Sequence, residues 1–191
     1  MSAFDEKQFL NDYKSSPQAA FRQLMDEYRD RVFIFCNRAI PRRQDAEDLT
    51  QEVFIRTWKG LENFRGDSSL TTWIYRIAWN VCASAIDKSG RSLKMYSLSG
   101  NDDDEDEKPY EIEVEDIKFK NMEDKQFLEV LFERIPESHK MILTMFYLQE
   151  MTYDEISAAS GMPMGSVKAT LFRAKASLKN AVSAEMESSA G

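Results

Sequence analysis

The chain has 191 residues, 42% of them hydrophobic and 30% charged, with a formal net charge of −8, a profile that predicts one or two ordinary globular domains with real cores. No run of 18 apolar residues occurs, so no membrane insertion is expected, and the opening MSAFDEKQFLNDYK lacks the apolar stretch of a signal peptide. One histidine, His139, and two cysteines without a CxxC spacing make no credible metal site; Cys36 and Cys82, on apolar helical faces, read as reduced, buried thiols of a cytoplasmic protein that carries no cofactor.

From Pro17 to Asn37, Phe21, Leu24, Met25, Tyr28, Val32, Phe35 and Cys36 recur at the three-and-four spacing of one long amphipathic helix. Pro41, Arg42 and Arg43 break it. Asp45 and Asp48 open a second helix, where carboxylates suit the positive end of the helix dipole, and that helix should run to about Leu61. Leu49, Val53, Ile55, Trp58 and Leu61 supply its apolar surface, and Asp48, Gln51, Glu52 and Arg56 its polar face.

Residues 62 to 80, ENFRGDSSLTTWIYRIAWN, are unlike a routine connector. A polar loop, Phe64 to Ser69, leads into a helix starting near Leu70 or Thr71. Its expected buried stripe is Leu70, Trp73, Ile74, Ile77, Ala78 and Val81, with Tyr75, Arg76, Trp79 and Asn80 off it. Aromatic rings beside arginine and asparagine provide stacking surfaces and hydrogen-bond donors for unstacked bases of single-stranded nucleic acid; the same rings also serve as core or rim in many proteins. Four basic residues against one acid between Ser68 and Lys94 make this a positive patch.

Composition then changes. Asn101 to Asp116, NDDDEDEKPYEIEVED, carries ten acids and one lysine, a net charge of −9 that leaves the rest of the chain at +1. Such a run repels itself and buries too little to fold alone, so it reads as a flexible linker. Extended at roughly 3.3 Å per residue, a linker of about 28 residues reaches up to about 90 Å, far enough for two domains to work on separate sites. Beyond it, Phe127, Leu128, Leu131 and Ile135 mark a helix ended by Pro136, and ESHKMILTMFYL reads as the central helix of a small bundle.

Met151 to Leu178 reads as two helices joined by a glycine turn. Thr152 with Glu155 is a capping box, Gly161 stops the first helix, and Pro163 suits the first turn of the second. The second buries Val167, Leu171, Ala174 and Leu178 and turns Lys168, Ala169, Phe172, Arg173 and Lys175 outward. Helix-turn-helix pairs also occur in bundles that never touch nucleic acid. Here four basic residues and no acid between Pro163 and Asn180, on an acidic chain, point to phosphate. The small polar tail from Ser183 to Gly191 is expected to fray.

Two positive helical units, the first with an aromatic loop and helix and the second with a helix-turn-helix, resemble the extracytoplasmic-function (group 4) sigma factors of bacterial RNA polymerase. Residues 45 to 80 resemble region 2 of that family, and residues 133 to 180 region 4. The resemblance implies an all-α fold of two small helical domains, region 2 over 1–95 and region 4 over 123–191, joined by a flexible acidic linker over 96–122. It implies a non-enzymatic transcription initiation factor, associated with stress response, that binds core polymerase and promoter DNA. By position, Asp48, Gln51 and Glu52 match residues that bind the clamp helices of the largest (beta-prime) subunit. Phe64, Arg65, Asp67 and Ser68 match the loop that captures a flipped base of the −10 element, and Arg76, Trp79 and Asn80 lie on the helix that holds the melted strand. Gly165, Ser166, Lys168, Ala169, Phe172 and Arg173 match the face that reads the −35 element. Other helices of region 4 would meet the flap of the second-largest (beta) subunit, the acidic linker would pass through the polymerase cleft, and an anti-sigma factor would inhibit the protein. Trp79 stands where the family commonly has a smaller or basic residue, and Ala169 and Thr170 where relatives often carry hydroxyl or basic ones.

A self-sufficient helix-turn-helix repressor or activator would account for the C-terminal half, but neither for Phe64 to Asn80 nor for a linker where a dimerisation domain belongs. A phosphodiester-acting enzyme lacks any acid cluster beside a nucleophile or metal site.

Overall fold

The computed structural model describes residues 4–90 and 135–189, and side chains within these except Leu178, Lys179 and residues 181–189. The acidic linker and the apolar positions Phe127, Leu128 and Leu131 lie outside the described residues. Every regular element among the described residues is helical: α1 (Glu6–Ser15), α2 (Pro17–Ala39), α3 (Arg43–Leu61), α4 (Leu70–Lys88), α5 (Glu137–Leu143), a π-helical turn (Thr144–Leu148), α6 (Tyr153–Ser160) and α7 (Met164–Ser189). No described helix is long and apolar enough to cross a membrane.

The N-terminal helix α1 has a local cause that hydrophobic spacing alone did not isolate. The Asp5 carboxylate accepts from the Lys7 and Gln8 N–H groups at 3.0 Å each, which satisfies donors left orphaned at a helix start. Phe9 anchors the helix in the core. The Glu6 carboxylate accepts from the Leu70 N–H at 2.8 Å, so α1 also caps the start of α4, together with the Ser69 hydroxyl on the Thr72 N–H at 3.1 Å.

Pro17 opens α2, and of the stripe that the periodicity predicts, Leu24, Tyr28, Val32, Phe35 and Cys36 are buried, joined by Ala20 and Ala39, while Phe21 and Met25 are half-buried. On α3 the buried set is Ala46, Thr50, Val53, Phe54, Thr57 and Leu61. The two threonine hydroxyls escape burial without a partner by donating to Ala46 O at 2.7 Å and Val53 O at 2.8 Å. Ile55 and Trp58, expected in the apolar surface, are instead 48% and 38% exposed. Ile55 lies two residues from Val53, about 200° around the helix, and so faces away from the stripe.

α4 departs further from a single buried stripe. Leu70, Ile74, Ala78 and Val81 are buried as expected, but so are Tyr75 and Trp79, whereas Trp73 and Ile77 are only half-buried. A helix buried on more than one side has neighbours on more than one side, and α4 packs on α2, α3 and α6. Gly60 permits the close approach of α3: a Cβ there would sit 2.8 Å from Trp73 Cζ2.

ESHKMILTMFYL does not form one regular helix. After Leu143 the chain widens into the π turn, where the Gln149 N–H reaches back five residues to Thr144 O at 3.1 Å. Glu150 then adopts a left-handed φ of 53° and reverses the chain. The capping box of α6 forms as the residues require. The Thr152 hydroxyl accepts from the Glu155 N–H at 3.2 Å, and the Glu155 carboxylate accepts from the Thr152 N–H at 2.9 Å. Gly161 ends α6 at φ 74°, a conformation that costs glycine no steric strain. Pro163 falls one residue before α7, with its carbonyl accepting the Val167 N–H at 3.0 Å. The α7 backbone stays helical to Ser189, past the point where fraying is expected.

The two units touch. α2 packs on α5 and α4 on α6, and the Arg31 Nε donates to the Gln149 Oε1 at 2.7 Å. Within the first unit, Cys36 and Cys82 are fully buried free thiols with their Sγ atoms 3.7 Å apart.

Candidate nucleic-acid and polymerase interfaces

Three surfaces carry the residues singled out from the sequence. The first is the outer face of α3. Asp48 and Gln51 are exposed, and Glu52 is half-buried and pairs with Arg56 at 2.7 Å. Ile55 lies one turn on from Gln51 and Glu52 and gives that polar face an exposed apolar centre. Ile55, expected in the apolar surface of the helix, lies on its outer side because of its angular distance from Val53.

The second surface is the loop after α3 and one side of α4. The loop turns at Gly66 (φ 74°) and leaves Arg65 and Asp67 exposed and Phe64 and Ser68 half-buried. The Phe64 ring lies 5.0 Å from the Trp73 ring, tilted by 45°. Trp73, Ile77 and Asn80 follow at the four-and-three spacing of one helical face, with Arg76 beside them and exposed. This is a continuous strip of two aromatic rings, an aliphatic side chain, an amide and a guanidinium. Phe64, Arg65 and Gly66 also line a cleft of 880 Å³ together with Leu10, Tyr13 and Trp58. The three helix residues assigned to the melted strand do not stay together, however. Arg76 and Asn80 face solvent, but Trp79 is 2% exposed.

Tyr75 is buried beside that strip. Its ring meets Phe35 edge-on at 5.4 Å, and its hydroxyl has no hydrogen-bond partner. Burial pushes the Tyr75 pKa far up, against the opposing pull of the Arg31 charge. It packs in the core of the first unit.

The third surface is α7. Val167, Leu171 and Ala174 pack inward, as does Thr170, which removes Thr170 from any base-reading face. Gly165, Lys168, Phe172 and Arg173 are exposed, with Phe172 at 43%, and Ser166 and Ala169 are half-exposed. Lys175, expected to point outward, is half-buried. Its ammonium sits 5.3 Å from the Phe146 ring centre and 5.5 Å from that of Tyr147, while Lys168 lies 5.9 Å from the Tyr153 ring. Phe146 and Tyr153 stack at 5.4 Å and 9°. The π turn thus supplies Phe146 and Tyr147 to Lys175, and the start of α6 supplies Tyr153 to Lys168, so that aromatic rings steady two cations of α7, a role no local spacing announced.

His139 of α5 is buried with neither ring nitrogen hydrogen-bonded. Burial lowers its pKa, and the Arg173 charge lowers it further.

The sequence matches the family model of sigma-70 region 2 over residues 24–92 and that of sigma-70 region 4 over residues 128–178. It is 31% identical over 168 residues to the ECF RNA polymerase sigma-E factor of Escherichia coli (strain K12), covering 86% of this chain and 87% of that protein. The sigma-E factor of Haemophilus influenzae is 28% identical over 166 residues, with 85% and 87% covered. Two solved structures share the fold. One is CnrH in complex with the cytosolic domain of CnrY, at a TM-score of 0.59 and 16% identity over 94% of this chain and 97% of that one. The other is the sigma factor RpoE in complex with the anti-sigma factor NepR from Bartonella quintana, at 0.62 and 18% over 85% and 96%. With both region models in order and a sigma-E relative aligned along most of its length, the chain belongs to the extracytoplasmic-function group of the sigma-70 family of RNA polymerase sigma factors.

Proposed function

We propose that this sigma factor docks core polymerase through the outer face of α3, opens and holds the −10 element with the Phe64 loop and α4, and reads the −35 element with α7. On α3, Asp48, Gln51, Glu52 and Ile55 meet the largest subunit, with Ile55 as the apolar anchor inside a polar rim. In the loop and on α4, Phe64, Arg65, Asp67, Ser68, Arg76 and Asn80 take the melted strand. On α7, Gly165, Ser166, Lys168, Ala169, Phe172 and Arg173 face the major groove. The protein acts in the cytoplasm without catalysing a reaction, and an anti-sigma factor holds it inactive until it is needed.

The observation that carries this reading is the strip formed by Phe64, Trp73, Ile77, Asn80 and Arg76. Half-buried rings beside exposed donors are suited to stacking and orienting an unpaired base, and a duplex reader has no use for them. The test is run-off transcription with core polymerase on a promoter recognised by this factor. Charge reversal at Asp48 and Glu52 together, or Ile55→Asp, is expected to weaken core binding at least tenfold with helix content intact. Affinity within about twofold of wild type, less than 0.5 kcal/mol, would overturn the α3 assignment.

A further inference from the structure

α1 belongs to none of the three surfaces described above, and it lies before residue 24, where the region 2 match begins. It nonetheless holds the joint between the Phe64 loop and α4. The first N–H groups of a helix have no partner within it. At α4 the Ser69 hydroxyl takes the Thr72 N–H at 3.1 Å, and the first helical bond runs from the Trp73 N–H to Ser69 O at 3.0 Å. The Leu70 N–H is met from 64 residues earlier in the chain, by the Glu6 carboxylate at 2.8 Å. At the next position the Thr71 hydroxyl and the Tyr28 hydroxyl of α2 share a hydrogen bond of 2.7 Å. α1 therefore fixes residue 70 and α2 residue 71. Both positions lie between Ser68, at the end of the loop, and Trp73, whose ring is 5.0 Å from that of Phe64.

Glu6 is carried by a firmly seated helix. The Asp5 carboxylate caps its start, Phe9 is buried, and the Phe4 ring meets those of Phe9 and Tyr28 at 5.6 Å each. Tyr13 meets Trp58 of α3 edge-on at 6.3 Å. Leu10, Tyr13 and Lys14 follow Glu6 at the spacing of one helical face. Those three line the same cleft as Phe64, Arg65 and Gly66. One face of α1 thus borders the loop at its turn and grips α4 at its first residue. A hydrogen bond to a carboxylate is stronger than a neutral one, and negative charge suits the positive end of the α4 dipole.

We propose that Glu6 is a positioning residue for promoter opening: by holding the Leu70 amide it keeps the Phe64 loop and Trp73 at the angle that captures an unpaired base. Glu6 acts through Phe64 and Trp73, not on DNA itself. This role rests on the assignment of the Phe64 loop and α4 to the melted strand.

The experiment assembles holoenzyme with full-length variants and measures open-complex formation on a duplex promoter recognised by this factor and on a pre-melted bubble of the same sequence. Exchange of the Leu70 amide is followed by NMR in the free full chain. Glu6→Ala should speed that exchange and lower duplex opening about tenfold, as misplacement of a reacting group does, with partial recovery on the bubble. Its affinity for core polymerase should stay within about twofold of wild type. Glu6→Gln keeps an oxygen acceptor and loses only the charge, so opening should stay within about threefold. Ile86→Ala controls for lost stability. Ile86 is a buried residue of the same helix, about 24 Å along its axis from Leu70, and the variant should open like wild type. Glu6→Ala added to Phe64→Ala should cost little beyond Phe64→Ala alone, because the group it positions is gone.

Unchanged Leu70 exchange or unchanged duplex opening in Glu6→Ala overturns the positioning role. So does an equal loss in Glu6→Gln or in Ile86→Ala, a loss undiminished on the bubble, or full additivity with Phe64→Ala. Phe64→Ala also tells this role apart from the assignment it rests on. If Phe64→Ala lowers duplex opening and Glu6→Ala does not, the Glu6 role alone fails; if neither does, the strip is not the opening surface and both fail.

Discussion

The two helices assigned to DNA, α4 and α7, are built for opposite kinds of contact. The exposed strip of α4 carries one cation, Arg76, among half-buried Trp73 and Ile77 and exposed Asn80, so its attraction for nucleic acid has to come from surfaces on which an unstacked base can lie. α7 exposes Lys168 and Arg173 and steadies Lys175 over two rings, with Gly165 and Ala169 keeping its outer face low. Stacking needs rings held at a fixed angle, whereas phosphate attraction needs charge at a distance and tolerates movement. α4 is accordingly packed on three helices, and α7 is steadied by cation–π contacts at its rim.

That contrast breaks most sharply at Gly60. A side chain there collides with Trp73, so Gly60→Val should cost about 1–3 kcal/mol of unfolding free energy, read from urea denaturation, and should swing Trp73 off Phe64. Open-complex formation on duplex promoter should fall while the −35 affinity of the holoenzyme is unchanged. Loss of both together would mean that the two surfaces are not independent.

Phe64→Ala comes next. Removing one stacking partner should cost about 1–3 kcal/mol in strand capture, seen as reduced open complex on duplex template and partial rescue on a pre-melted bubble. Equal loss on both templates would remove Phe64 from the opening step.

How far these surfaces could be read from the amino acids depends on the range of the forces involved. The capping box at Thr152 and Glu155, the stop at Gly161 and the break at Pro41 are decided within a few residues and were legible. So were Arg76 and Asn80 as surface groups, because the stripe through Leu70, Ile74, Ala78 and Val81 faces the first unit's own core. Trp79 was not, since it is buried on a helix that packs on three others, α2, α3 and α6. Ile55 was misplaced because an apolar side chain was counted without its angle. The π turn hid inside a run whose composition suits any helix, and with it went the aromatic seat of Lys175.

On α7 the expected effects are smaller and separable. Lys168 lies near the start of the helix, where side chains meet base edges more often, so Lys168→Ala should change preference at one or two −35 positions by about 1–3 kcal/mol. Arg173, more than a turn later, is placed to meet phosphate. Arg173→Ala should weaken all −35 sequences alike and lower the salt slope by about one. Binding of holoenzyme to a promoter set randomised at −35, at two salt concentrations, checks both. If neither substitution moves affinity, preference or slope, α7 does not enter the groove.

The smallest effect separates the two units by pH. The chain has one histidine, His139, and it lies in the second unit. Its folded pKa is depressed, first by burial and then by Arg173, so below the unfolded value of about 6.5 the unfolded chain binds more protons than the folded one. Stability must therefore fall as pH drops through about 6.5, until the folded form is protonated as well. His139→Gln should remove this part of the slope, measured as urea midpoints between pH 7 and pH 5. Arg173→Ala, by relieving the charge that disfavours the imidazolium, should shrink the slope without abolishing it, because burial remains. A slope unchanged by His139→Gln would assign the acid sensitivity to carboxylates instead, and an Arg173→Ala slope as steep as wild type would show that the guanidinium and the imidazole do not interact across the α5–α7 contact.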